Sequence, residues 1–111
     1  MTKFVLVYHA PQTPAEATPP SPEEVQQMMG AWMQWAEKVG PGMVDFGTPL
    51  AGGVRVTPQG VTPSTNEVAG YTIIEAESAD AALELAKVHP HLSMPGGCSI
   101  EVHEAQAVPG M

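Results

Sequence analysis

His89-Pro90-His91 places two imidazoles either side of a proline, the arrangement in this 111-residue chain best suited to chemistry. Pro90 fixes its own φ and restricts the residue before it, so the elbow is stiff. A stiff elbow can hold an imidazole where general acid–base work needs it. Each histidine also has a plainer reading. His89 falls at the end of a helical pattern, where a cation is favoured by the helix dipole, and that reading outweighs catalysis. His91 lies beyond the helix and precedes Leu92, which should pack inward; its two readings are evenly balanced.

Asp45 is the carboxylate of most interest, lying between Val44 and Phe46 in a short apolar run. Desolvated there, it would titrate nearer neutrality and serve as acid or base. The plainer alternative is a strand-end Asp that caps a turn at Gly47. Tyr8, Trp32 and Tyr71 are the candidates for holding a ligand, since aromatic walls suit an aromatic or lactone ring. The three-residue spacing of Trp32 and Trp35 more often marks core or dimer packing than a ligand platform. A metal needs third and fourth ligands beside a His-x-His pair. His9, His103, Asp45 and Glu101 are too scattered to supply them, so no metal and no cofactor is expected. Cys98 has no basic neighbour to activate it and reads as an ordinary strand cysteine. Glu101 and His103 share one face of the last strand, either paired across a dimer seam or simply solvated at a sheet edge.

The elements that must position these groups are legible from periodicity. Phe4–His9 is a β-branched and aromatic strand with apolar residues on both faces, as in a strand covered on both sides. Ala10–Pro20 is a proline-rich loop. Ser21-Pro22-Glu23-Glu24 starts a helix with a cap, a first-turn proline and a capping box. Val25, Met28, Met29, Trp32, Trp35, Ala36 and Val39 form its apolar stripe, and Gly40-Pro41-Gly42 ends it. Met43–Phe46 is a short strand, Ala51–Gln59 an edge ribbon and Gly60–Asn66 a polar turn region. Val68–Ala76 is the next full strand, with Thr72, Ile74 and Ala76 opposite Tyr71, Ile73 and Glu75. Ser78 caps a second helix that Pro90 ends; Ala81, Ala82, Leu85, Ala86 and Val88 make its buried side. After a Gly96-Gly97 turn, Cys98–Glu104 is the last strand and residues 105–111 a loose tail. The order is that of a ferredoxin-like βαββαβ sandwich. This α+β fold has an antiparallel four-stranded sheet with two helices on one face.

Twelve acidic against four basic residues give a net charge of −8. That excludes nucleic acid and an anionic membrane as natural partners. The lone cysteine forbids an internal disulfide and points to a reducing, cytoplasmic setting. The first apolar run is too short for a signal peptide or a membrane span. One domain over residues 1–111 is expected. Apolar groups on the far sheet face would sit in water in a monomer. The expected partner is therefore a second copy, packed sheet face to sheet face.

With these residues laid out, the chain resembles the YCII-related family, in the branch called DGPF-domain proteins. The resemblance rests on Ser21-Pro22-Glu23-Glu24, Val44-Asp45-Phe46-Gly47-Thr48-Pro49-Leu50, Gly70-Tyr71-Thr72-Ile73-Ile74-Glu75-Ala76 and Ala86-Lys87-Val88-His89-Pro90-His91-Leu92. Gly96-Gly97 and Ile100-Glu101-Val102 complete it. The ordered set spans nearly the whole chain. The namesake Asp-Gly-Pro-Phe is missing, and the region near it reads Gly60-Val61-Thr62-Pro63-Ser64. The resemblance implies a dimeric α+β barrel and places Asp45 in the shared pattern. It also implies relatives that act on small ring compounds, as in dehalogenation or muconolactone isomerisation. The expected activity is cofactor-free acid–base chemistry on a small ring compound, with Asp45, His91 and His89 as the groups that move protons. The alternatives are a non-catalytic module that binds a small apolar or aromatic molecule, and an interaction dimer whose pocket is vestigial.

Overall fold

The computed structural model describes residues 1–11, 21–64, 67–93 and 97–109. Most of the proline-rich loop, with Asn66, Gly96 and the last two residues of the tail, lies outside them. Strand β1 spans Thr2–His9, helix α1 Pro22–Val39, β2 Met43–Asp45, β3 Val54–Thr57, β4 Gly60–Pro63, β5 Val68–Ala76, α2 Ala79–Lys87 and β6 Ser99–Glu104. The main sheet runs β2-β5-β1-β6, and all its pairings are antiparallel. That is the ferredoxin-like α+β order expected from the sequence.

Alternation decides the two sheet faces. Phe4, Leu6 and Tyr8 are buried, as are their face-mates Thr72, Ile74 and Ala76 on β5. Ile100 and Val102, paired with Tyr8 and Leu6, pack against the same core. Trp35 and Val39 of α1 and Ala82 and Ala86 of α2 close it. The alanines let α2 lie close enough for the Trp35 indole N–H to reach the Leu85 carbonyl at 2.8 Å. Fully burying a side chain such as Phe4 or Ile74 contributes about 1.5–3 kcal/mol. On the other face, Val5, Val7 and Ile73 are only half-buried within one chain. The expectation of cover on both faces is therefore met on one side alone.

Both helix starts form as their sequences require. The Glu24 N–H donates to Ser21 Oγ at 3.2 Å, and the Ala81 N–H to Ser78 Oγ at 3.1 Å. The apolar stripe of α1 needs correction. Its second half is core, but Val25, Met28 and Met29 are exposed within the chain. Periodicity gives a face and not its cover: among the described residues, few lie over the apolar stripe in the first turns of α1.

The polar turn expected over residues 60–66 is also corrected. Gly60–Pro63 is strand β4, paired with β3 so that Val54 faces Pro63 and Thr57 faces Gly60. The turn is only Pro58-Gln59, and β-branched Val61 and Thr62 extend beyond it. This hairpin makes its own two-stranded sheet, with Val54, Val56 and Val61 exposed.

Between β2 and β3 the chain runs against β5. Pro49 bridges Gly70, and the Leu50 N–H donates to the Ala69 carbonyl at 2.9 Å. Gly47 makes this approach feasible. Its φ is +81°, and a Cβ there would lie 1.7 Å from the Tyr71 carbonyl oxygen. Gly52 has a similar φ of +64° but open space around it. Gly47→Ala should therefore destabilise the fold by about 2 kcal/mol or more, and Gly52→Ala by about 1 kcal/mol. Urea midpoints at constant slope measure both; equal losses would mean that the approach of Gly47 to β5 carries no weight.

Candidate functional site

Helix α2 stops at Lys87, and Pro90–Ser93 forms a single turn of 3-10 helix. Pro90 has no N–H to donate, so the His91 amide is the next available donor. It donates to His89 Nδ1 at 2.9 Å. That bond decides the tautomer: Nδ1 is the acceptor, so the proton of the neutral ring is on Nε2. The Nε2–H then donates to Tyr8 Oη at 3.0 Å. The Tyr8 hydroxyl donates to Thr72 Oγ1 at 2.6 Å, and the Thr72 hydroxyl to the Phe46 carbonyl at 2.9 Å. A carbonyl can only accept, so the direction of the whole chain is fixed from both ends.

This overturns the dipole reading of His89. The ring is only 2% exposed and packs between Trp32, at 4.4 Å between centroids, and Trp35, at 4.2 Å. Burial, and secondarily the charge of His91, lowers its pKa to about 4, so it stands as a neutral imidazole. Burial likewise pushes the Tyr8 phenol up to about 12, partly offset by its bond to Thr72.

His91 is 3% exposed and differently placed. Its Nε2 meets the His9 carbonyl at 3.0 Å, so Nε2–H donates, and Nδ1 has no hydrogen-bond partner among the described residues. The ring stands 5.1 Å from that of Tyr8 and forms part of the wall of a cavity of about 260 Å³. Trp32, Met28 and Met29 of α1 make one side of this cavity, Phe46–Pro49 another, and Ala69–Tyr71 with Tyr8 and Ala10 the rest. Tyr8 and Trp32 meet edge to face at 5.0 Å, and Trp32 and Phe46 lie 6.1 Å apart. Such packing gives rigid aromatic walls.

Of the residues singled out from sequence, Tyr8, Trp32, Tyr71 and His91 share this cavity, with His89 directly behind Tyr8 and Trp32. Asp45 does not line it. Its carboxylate is exposed, accepts the Gly47 N–H at 2.9 Å and accepts the Tyr71 hydroxyl at 3.3 Å. The expected desolvation is thus not found, and the turn-capping alternative describes its geometry. Asp45 meets the cavity through Gly47 and through Tyr71, whose phenol its charge holds above the ordinary range.

Sequence reasoning missed Thr72, Phe46 and the two methionines. Thr72 left a signal: it is the one polar residue in phase with Ile74 and Ala76 on the buried face of β5. A larger hollow of about 510 Å³ lies between residues 50–53, the end of β4 and residues 67–69, with Glu67 the only titratable group among its described lining residues. Among the described residues, no group of three or more His, Cys, Asp or Glu side chains is placed to hold a metal ion. On the outer sheet face Glu101 lies 2.8 Å from His103 Nε2 and 3.6 Å from His9 Nε2. These partners, the bond to His103 foremost, hold the Glu101 carboxyl below its ordinary range. No described helix is long and apolar enough to cross a membrane.

No family model matches the chain, and no curated protein matches it. Among solved structures it is similar to 5-chloro-2-hydroxyhydroquinone dehydrochlorinase (TftG) from Burkholderia phenoliruptrix, in complex with 2,5-dihydroxybenzoquinone. The TM-score is 0.56 at 16% identity, over 94% of this chain and 93% of that one. At that identity the likeness establishes the fold alone.

The buried imidazole sets a pH dependence. In the unfolded chain His89 takes a proton near pH 6.5, but in the folded chain only near pH 4. Between those values the unfolded state binds more protons, so its contribution to stability is complete above pH 6.5 and is lost as pH falls toward 4. The expected loss, discounted for solvent screening, is about 2 kcal/mol, several degrees in Tm. Calorimetry from pH 7 to 4 measures it; a slope undiminished in His89→Gln would assign it to other groups.

Proposed function

We propose that this chain is a cofactor-free enzyme performing acid–base chemistry on a small ring compound: isomerisation, hydrolysis or dehalogenation. We propose it further as a single-domain, homodimeric and cytoplasmic member of the YCII-related family. The observation that carries the reading is His91, a buried imidazole pinned through Nε2 on a backbone carbonyl, with its other nitrogen unshared, in the wall of an aromatic cavity. A general base needs an available lone pair, a fixed orientation and exclusion of water.

In this reading His91 Nδ1 takes and returns the proton. Tyr8, Trp32 and Tyr71 hold the ring by stacking and edge contact. Asp45 acts at one remove, holding the Tyr71 hydroxyl at the cavity rim, and His89 fixes the plane of Tyr8. The ring compound bound by the structurally similar dehydrochlorinase is compatible with this substrate class. The half-exposed Val5, Val7 and Ile73 supply the apolar surface that a second sheet would cover.

A second reading, a binding module without turnover, is favoured by one observation. The Tyr8 hydroxyl and the His89 ring are both taken up inside the core, which leaves His91, Tyr71 and Thr48 as the polar side chains of the wall. A metabolite pull-down read by mass spectrometry separates the two: recovered product supports the enzyme, an unaltered ligand the module.

His91→Gln keeps a donor for the His9 carbonyl and removes the base, so turnover of the recovered compound should fall at least about 100-fold. Asp45→Asn should lower it by about tenfold while leaving the fold intact. Wild-type rates in both variants would refute these assignments. Sedimentation equilibrium should give twice the chain mass; a monomer at micromolar concentration would remove the dimer.

A further inference from the structure

We infer that the cavity selects its ring compound by charge, admitting an uncharged hydroxylated ring and rejecting the same ring bearing a carboxylate. This rests on the reading of the cavity as a ring-compound site and narrows its substrate class.

The chain has four cationic side chains, Lys3, Lys38, Arg55 and Lys87, and none lines the cavity. Residues 12–20, 65–66, 94–96 and 110–111 contain no Lys or Arg. Lys38 is exposed at the end of α1, Arg55 is exposed on the hairpin, and Lys87 pairs with Glu84 at 3.1 Å. Among the described residues, a negative charge is bonded to the wall itself: Asp45 accepts from Tyr71 and Gly47. A carboxylate entering here would lose its hydration, meet no fixed countercharge and feel the repulsion of Asp45. The remaining wall is aromatic and aliphatic, with Trp32, Phe46 and Met28 facing a volume of about 260 Å³. That is just below the range typical of drug-sized ligands, and suits one ring.

An uncharged hydroxylated ring meets none of these penalties, and the proton step keeps the cavity neutral. The ring O–H breaks and His91 Nδ1–H forms, with the electron pair remaining on oxygen. Imidazolium and ring oxyanion arise together as a pair, so no unbalanced charge is created in the apolar space. A ligand that arrives bearing a carboxylate brings a charge that this transfer does not balance.

The test uses two rings of near-equal size, 4-methylphenol and 4-hydroxybenzoate, at pH 8, where the first is neutral and the second carries a carboxylate. The chain has only two tryptophans, and they report on location: Trp32 lines the cavity, while the Trp35 indole is bonded inside the core. Titration followed by the two indole N–H signals in NMR should move that of Trp32 with 4-methylphenol, with at least about tenfold weaker binding of 4-hydroxybenzoate. Equal or tighter binding of 4-hydroxybenzoate at Trp32 would overturn the charge selection and leave the ring-compound reading standing. If neither ring moves the Trp32 signal, both fall together.

Discussion

A phenol buried among aromatic rings must find a partner for its hydrogen and for its oxygen, and the packing around Tyr8 provides both. The Nε2–H of His89 satisfies the oxygen, and Thr72 accepts the hydrogen. Each of those partners is tied to a different part of the chain: His89 to the turn after α2, Thr72 to β5 and, through its own hydroxyl, to the segment after β2. Four elements far apart in sequence are therefore held in one register by bonds whose donors and acceptors cannot be exchanged. The chain ends at a carbonyl on one side and begins at an amide on the other, so no proton in it has an alternative place to sit. That gives rigidity, and it makes the chain a poor conduit for protons.

The cavity is a by-product of the same constraint. Thr72 anchors the Phe46 carbonyl, and Gly47 lets the backbone pass against Tyr71, so Phe46–Pro49 stands as a wall instead of collapsing onto the sheet. His89 presses on Trp32 and Trp35 and so fixes where α1 crosses. The first turns of α1 then run past the sheet, with Met28 and Met29 over the opening. Adaptable thioether side chains above rigid aromatic walls form a lining that can adjust to the edge of a ring and hold its plane.

The two histidines show how position separates roles within a three-residue motif. Both imidazoles have one nitrogen engaged by the backbone, but in opposite senses. His89 accepts from an amide and uses its remaining N–H on Tyr8; His91 donates to a carbonyl and keeps a lone pair. The first is therefore complete as a structural element, and the second retains the capacity for chemistry. Pro90 produces the difference, because its missing N–H hands the bond to the next residue.

Much of the architecture was written in local pattern. Ser21-Pro22 and Ser78 gave the helix starts, alternation through Phe4–Tyr8 and Thr72–Ala76 gave the sheet faces, and Gly40 and Pro90 gave the stops, because each of these acts over a few residues. The element order then led to the ferredoxin-like sheet. The cover over α1 was not legible, since periodicity names a face without naming what lies against it, nor was the β3–β4 pairing. The site was half legible. His91, Tyr8, Trp32 and Tyr71 could be named as residue types, but the bond from Tyr71 to Asp45 spans 26 positions and that from His91 to the His9 carbonyl spans 82. Residue types and spacing determined which groups were available. The bond from the His91 amide to His89 is local, but only long-range packing decided how His91 itself is held, because the His9 carbonyl reaches its ring from the far end of the chain.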